Sequence, residues 1–345
     1  MTQNTQNANA GSGKPNVFLA LLKRIIKDRS FGLVIACVIL LLLAWMITPQ
    51  LLTMGSINGM LRNNAIFGIM SIGMLMVLVT RGIDLSIAAT MVLSGQIIAM
   101  INADQPEVPI ILLILISIAI GIIIGMYNGL LISKLKLLPI IVTLSTLYVV
   151  RGLTFILSNS RWIVPKDFSG PYKAFASGNF LGINHLVLLA AALFIIFFFI
   201  LSYLRFGRRV YAVGSSPESS LVTGINNDRI IFAVYTIMGA ISGFAGFLYT
   251  ANYAIAQSTM AMGMEMDVIA ICILGGVSIN GGTGRISGII IATLLFAIIS
   301  SFLSMLSGLS IWTDAIKGAI IVGAVILNIY TTRSANRRAL KQRNV

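Results

Sequence analysis

Charge is scarce in this chain of 345 residues. Only 10% are Asp, Glu, Lys or Arg, against about a quarter in a soluble domain. Histidine occurs once, at His185, next to an apolar block, so no nucleophile–base pair can be assembled around it. The two cysteines, Cys37 and Cys272, lie in separate apolar runs and read as small apolar residues rather than a disulfide or a metal site. No Gly-x-x-x-x-Gly-Lys-Ser/Thr run is present, so nucleotide hydrolysis by the chain itself is not expected; no cofactor is expected either. The glycine-rich run from Gly275 to Arg285 lacks that order and reads as a tight turn. Residues Met1–Pro15 lack the charged start, apolar core and cleavage site of a signal peptide. The first apolar block is therefore expected to be a retained membrane helix.

What the sequence does have is apolar length. Hydrophobic residues make up 57%, and blocks such as Phe31–Thr48, Ile110–Leu131, Leu186–Leu204 and Ile286–Leu303 approach the roughly 20 residues that cross a bilayer. Read against their polar punctuation, they predict an all-α membrane protein of about ten transmembrane helices. The spans are 30–49, 60–80, 85–102, 108–133, 137–158, 184–204, 229–252, 265–280, 286–307 and 311–331. Residues 1–29 and 332–345 form basic tails around one membrane domain, 30–331. Asp84 is placed as the N-cap of the third span.

The net charge of +14 sits in connectors and at both ends, with no basic helix face and no interleaved aromatics, which argues against a nucleic-acid partner. With the N-terminus inside, eighteen Lys and Arg fall on the inner side and four on the outer. Positive charge accumulates on the cytoplasmic side, so both termini are expected there. Two connectors are long: 159–184, outside, is expected to be an ordered loop or short helix. The inner one, 205–229, is expected to carry a short helix from Pro217 to Thr223.

Polar residues inside spans are functional candidates by default. They are Asn63, Asn64, Gln96, Asn128, Thr143, Ser145, Thr146, Arg151, Asn252, Asp314 and Lys317, the last two spaced to neutralise each other. Asn64, Thr143, Ser145, Thr146 and Arg151 are taken as lining a translocation pathway. Arg151, midway along its span, must face protein or water. No acidic residue lies deep in a span, which weighs against a proton-coupled carrier. Gly121, Gly125 and Gly129, and separately Gly239 and Gly243, recur every four residues and suit close helix packing.

Four segments carry a resemblance. Arg81-Gly82-Ile83-Asp84-Leu85-Ser86, the stretch Leu138 to Leu144 followed by Arg151-Gly152-Leu153, Phe206 to Gly214, and Leu274 to Gly288 resemble, in order, segments of the permeases of bacterial binding-protein-dependent sugar importers. These are the ribose/galactose/xylose group of ABC transporters. Glu218-Ser219-Ser220-Leu221-Val222-Thr223-Gly224 resembles the coupling motif of import permeases, with serine at both alanine positions. The resemblance implies a multi-pass protein of the bacterial cytoplasmic (inner) membrane, with a cytoplasmic ATP-binding subunit, a second permease subunit (identical or not) and an extracytoplasmic solute-binding protein as partners. It also implies that Arg208, Arg209, Glu218, Ser219, Ser220 and Gly224 couple to the ATPase. A branched-chain amino acid or nucleoside permease, or a stand-alone secondary carrier, are the alternatives.

Overall fold

The computed structural model describes residues 31–306 and, beyond them, 312, 314–316, 318–319 and 322–323. Both expected tails, most of the tenth span and Lys317 of the Asp314–Lys317 pair lie outside the described residues. Within them the chain is helical apart from one small hairpin. The long helices are α1 (Phe31–Ile47), α2 (Met54–Val79), α3 (Ile87–Asp104), α4 (Ile110–Ser133) and α5 (Pro139–Ser158). A short α6 (Gly170–Ser177) and an antiparallel pair, β1 (Asn179–Phe180) with β2 (Ile183–Asn184), follow. Then come α7 (His185–Tyr203), α8 (Arg205–Ser215), α9 (Pro217–Val222), α10 (Asn227–Tyr253), α11 (Met264–Leu274) and α12 (Ile286–Met305). Among the described residues seven helices are long and apolar enough to cross a membrane: α2, α3, α4, α5, α7, α10 and α12.

The arrangement is inside-out relative to a soluble bundle. α4 and α7 are the most apolar spans and the least buried, whereas α2 and α3 are the least apolar and the most buried. Lipid rewards hydrocarbon on the rim, and the interior can then hold hydroxyls and amides if they are hydrogen-bonded. Ser94 Oγ donates to Gly243 O at 3.0 Å, and Tyr172 and Thr250 share a hydroxyl bond of 2.6 Å.

α10 is the central post. Its most extensive partner is α4, and the two meet backbone to backbone. A Cβ built on Gly121 would overlap the carbonyl oxygen of Gly239, and one built on Gly239 would overlap that of Gly121. A Cβ on Gly243 would lie 3.0 Å from Gly121 Cα, and one on Gly125 would overlap Tyr235 O. A neighbouring glycine, Gly246, brings α10 against α3, where a Cβ on Gly95 would sit 2.8 Å from Gly246 O. Close packing of small residues is the main attraction available between helices when lipid removes the hydrophobic one.

Three expectations need correction. The eighth span, read as 265–280, stops at Leu274. Gly276 N donates to Ile273 O and Val277 N to Cys272 O, both at 3.0 Å, with Gly276 at φ +82°. This doubly bonded stop leaves α11 about half a membrane long. Asp84 is not the N-cap of α3: Ser86 holds that position, and the Asp84 carboxylate accepts from Ser86 N at 2.9 Å and Ser86 Oγ at 2.6 Å. Finally, a basic helix face exists, since α8 carries Arg205, Arg208 and Arg209 on its exposed side.

The 159–184 connector folds back over one end of the bundle. Ile163 and Ala256 exchange backbone bonds of 2.9 and 3.0 Å, and Arg161 pairs with both oxygens of Asp104 at 2.8 and 2.9 Å. The other end carries α8, α9 and the connectors 80–86 and 275–285.

Replacing Gly121 or Gly239 by Val is expected to cost more than the roughly 1–3 kcal/mol of ordinary overpacking, because a backbone cannot repack as a side chain does. Gly152→Ala is the control: its Cβ would meet nothing within 4 Å, so helix propensity alone should stabilise it by up to about 1 kcal/mol. Thermal unfolding of the purified protein reads both, and a Gly121→Val protein as stable as the parent would contradict the packing assignment.

Candidate coupling site

The candidate site is built on α8 and α9. In α8 the inward positions are Gly207, Val210, Val213 and Gly214, the spacing of a helix with one buried face, while the arginines point out. Ser216 then breaks the helix and caps the next: its Oγ accepts from Ser219 N at 3.3 Å, and Pro217 occupies the first turn of α9, where its missing N–H costs nothing. α9 ends after six residues. Gly224 N donates to Leu221 O at 2.9 Å and Ile225 N to Ser220 O at 3.0 Å, with Gly224 at φ +79°. That left-handed stop suits glycine.

One side of α9 is sewn to the bundle. Ser220 Oγ donates to Asn227 Oδ1 at 2.7 Å, and Asn227 Nδ2 donates to Pro217 O at 2.9 Å. The opposite side is bare. Glu218, Ser219, Thr223 and Gly224 are exposed, and so are Leu221 at 59% and Val222 at 89%. Two aliphatic side chains are thus held out from a short, doubly anchored helix at a charged end of the molecule instead of packing into the core.

α8 is tied to two other parts of the chain, which are also bonded to each other. α2 ends with Arg81 in the left-handed region, φ +64°, a place where a non-glycine residue costs of order 1–3 kcal/mol. The Arg81 guanidinium offsets this: Nε donates to Gly214 O at 2.7 Å and Nη2 to Ser215 O at 2.9 Å. Gly282 N donates to Val79 O at 2.9 Å, and Tyr211 Oη donates to Gly284 O at 2.9 Å. Burial pushes the Tyr211 phenol above its ordinary value, with Arg285 drawing it back, so it remains a donor at neutral pH. A Cβ on Gly214 would overlap Val79 O. Thus α8, the end of α2 and the glycine-rich 275–285 connector form one knot, and α9 hangs from it.

Residues 56–325 match the family described as branched-chain amino acid transport system / permease component. The chain belongs to this permease family. It is 34% identical over 292 residues to the ribose import permease of Bacillus subtilis, covering 84% of this chain and 89% of the relative. It is 31% identical over 310 residues to an L-arabinose ABC transporter permease of Azospirillum brasilense, covering 90% of each. The galactose/methyl galactoside import permease of Haemophilus influenzae is 31% identical over 323 residues, covering 88% of this chain and 96% of the relative. No solved structure matches the chain.

The expected pathway residues lie in different surroundings. Thr143 and Thr146 are buried in a hydrogen-bond chain between spans. Thr146 Oγ1 donates to Asn128 Oδ1 at 2.7 Å, Asn128 Nδ2 to Ser86 Oγ at 2.9 Å, and Ser86 Oγ to Asp84. Thr143 Oγ1 reaches Ile83 O at 3.1 Å. Ser145 is exposed on α5 and bonds back to Ile141 O at 2.8 Å. Asn64 bonds back to Met60 O at 2.9 Å. Arg151 is half-buried and donates to Ser258 O at 3.0 Å and Met260 O at 2.9 Å. Of the expected coupling residues, Arg208, Arg209, Glu218, Ser219 and Gly224 lie exposed on α8, α9 and the turn after it, and Ser220 points inward as an anchor. Leu221 and Val222 belong to the same surface. Their apolar character within a polar connector is the signal that the sequence carries for them.

Arg81→Gly relieves the left-handed residue but removes two charge-assisted bonds, each worth about 1.5–3 kcal/mol. Hydrogen exchange across 205–223 is expected to speed up by about tenfold or more, while the last turn of α2 keeps its protection. Unchanged exchange would mean that Arg81 does not hold α8.

Proposed function

We propose that this chain is the membrane-spanning permease subunit of an ATP-driven importer for monosaccharides or sugar-like solutes. In this reading ten helices cross a bacterial inner membrane, and both termini and the 205–229 segment lie in the cytoplasm. A separate ATP-binding subunit supplies energy, a second permease subunit (identical or not) completes the pathway, and an extracytoplasmic binding protein delivers the solute. The observation that carries it is α9: a short helix with Leu221 and Val222 exposed, fixed to the bundle through Ser220 and Asn227 and to α2 through α8 and Arg81.

Such a helix transmits force without catalysing anything. ATP binding and hydrolysis on the partner move the surface that receives Leu221 and Val222. α8, α2 and the 275–285 connector then move with α9, because the knot leaves no slack between them. A pathway that opens alternately to each side is a two-state equilibrium, and the partner biases it only through contacts that differ between the states.

The family's own description favours branched-chain amino acids as a second reading. Relatives named for ribose, L-arabinose and galactose favour sugars. Uptake by vesicles holding the complete importer, tested with labelled ribose, arabinose, galactose and leucine, separates the two. Sugar uptake that requires ATP supports the proposal, and leucine uptake alone contradicts it.

Leu221→Asp with Val222→Asp is expected to leave the permease folded, since both side chains are exposed, yet to abolish co-purification of the ATP-binding subunit and ATP-dependent uptake. Burying a charge unpaired in an interface costs at least several kcal/mol, enough to lower affinity by a hundredfold or more at about 1.4 kcal/mol per tenfold. Retained co-purification would place the coupling surface elsewhere.

A further inference from the structure

At the end of the bundle opposite α8 and α9, three helices carry polar groups that lack partners at one level. Asn252 on α10 donates its Nδ2 to Asn63 Oδ1 on α2 at 3.3 Å. The Oδ1 of Asn252 is buried without a hydrogen bond, as are Nε of Arg62 on α2 and Oε2 of Glu265 on α11. α11 runs in the same direction as α2, with Cys272 Sγ donating to Ser71 O at 3.4 Å. Seven residues back along both helices, about 10 Å at 1.5 Å per residue, Glu265 is level with Asn64. Tyr249 and Tyr253, on the Asn252 face of α10, pack with ring centroids 4.6 Å apart, and Tyr253 lies within electrostatic reach of Arg62. Tyr253 is exposed and the other five are half-buried, so the cluster opens to the surface.

A buried polar atom left unpaired costs about 1–3 kcal/mol. Here one guanidinium N–H, one amide oxygen and one carboxylate oxygen lack a hydrogen bond, with Arg151 on α5 within electrostatic reach of Glu265, and together they describe what is missing. A hydroxyl can accept from Arg62 and others can donate to Asn252 and Glu265. The C–H face of a ring can lie on an aromatic side chain, whose face is electron-rich. A zwitterion with an aliphatic side chain would match Arg62 and Glu265 but leave the asparagine pair against hydrocarbon.

We propose that Arg62, Asn63, Asn252, Glu265, Tyr249 and Tyr253 form an entry subsite for a sugar ring at the extracytoplasmic end of the pathway. This rests on the importer reading above. The subsite holds the solute by hydroxyl pairing and ring stacking as it leaves the binding protein, so the permease itself contributes to selection. None of these residues touches the coupling end, so ATPase stimulation should be independent of them.

The test uses the complete importer in vesicles, with solute-loaded binding protein in excess, labelled ribose, arabinose and galactose as probes, and uptake and ATP hydrolysis measured together. The parent is expected to take up at least one of the three. Asn252→Ala and Glu265→Gln are each expected to reduce uptake of that sugar by about tenfold, the loss of one hydrogen bond of about 1.4 kcal/mol, with ATP hydrolysis stimulated as in the parent. Parental uptake in both variants overturns the subsite and leaves the importer reading standing. A parent that takes up none of the three sugars but takes up labelled leucine overturns the sugar-importer reading instead. Should Asn252→Ala or Glu265→Gln fail to assemble, the exposed Tyr253 decides: Tyr253→Phe should transport and Tyr253→Ala should not, and equal uptake by the two overturns the proposal.

Discussion

The contact between Gly121 and Gly125 on α4 and Gly239 and Gly243 on α10 is the constraint on which the rest of the molecule depends. Side chains are absent on both sides, so two backbones touch. α10 is thereby fixed as the post around which α2, α3 and α4 are arranged. Every distance between the two ends of the bundle is then referred to one rigid element. Its first turn carries Asn227, the anchor of α9, and its last carries Asn252 and Tyr253. One helix therefore joins the end that carries α9 to the end that carries the polar groups of Asn252 and Tyr253.

The knot at the α8 end has a complementary character. It is made of backbone carbonyls, one guanidinium and one phenol rather than packed hydrocarbon. Hydrogen bonds of this kind are directional, unlike the contacts of a close-packed core. The strain at Arg81, a left-handed residue bonded to Gly214 and Ser215, marks where the chain holds a local conformation that its own propensity disfavours. Lys136 and Asp228 add an exposed ion pair between the α4–α5 connector and the start of α10, of little energetic weight by itself.

Much of this was legible in the residues, and the parts that were not share a cause. Apolar runs located α1, α3 to α5, α7, α10 and α12 to within about two residues, because a bilayer demands continuous hydrocarbon, whereas α2 begins six residues earlier than its expected start at residue 60. The four-residue glycine spacing marked one face of α4 and one of α10 for close packing, and the fold shows that the two faces meet each other. α11 was overextended because Val277 and Ile279 continue the apolar run past Gly276, and hydropathy does not report a left-handed stop. α8 was read as connector because its arginines interrupt the apolar pattern, although Gly207, Val210, Val213 and Gly214 keep a helical spacing. Thr143 and Thr146 have the polarity of pathway residues, but a hydroxyl's partner depends on the neighbouring helix. Only the fold reveals that Asn128 and the Ile83 carbonyl take them. Arg62, Asn252 and Glu265 stand out for the converse reason, since the fold leaves an atom of each without a partner.

The central claim is that α9 is the point at which an ATP-binding subunit grips the bundle. A photo-crosslinking residue placed at Val222 in the assembled importer tests it most directly, because this side chain is 89% exposed and faces away from the chain's own core. The account predicts one dominant product, joining the permease to the ATP-binding subunit. Products with lipid or with the solute-binding protein, and none with the ATP-binding subunit, would contradict it.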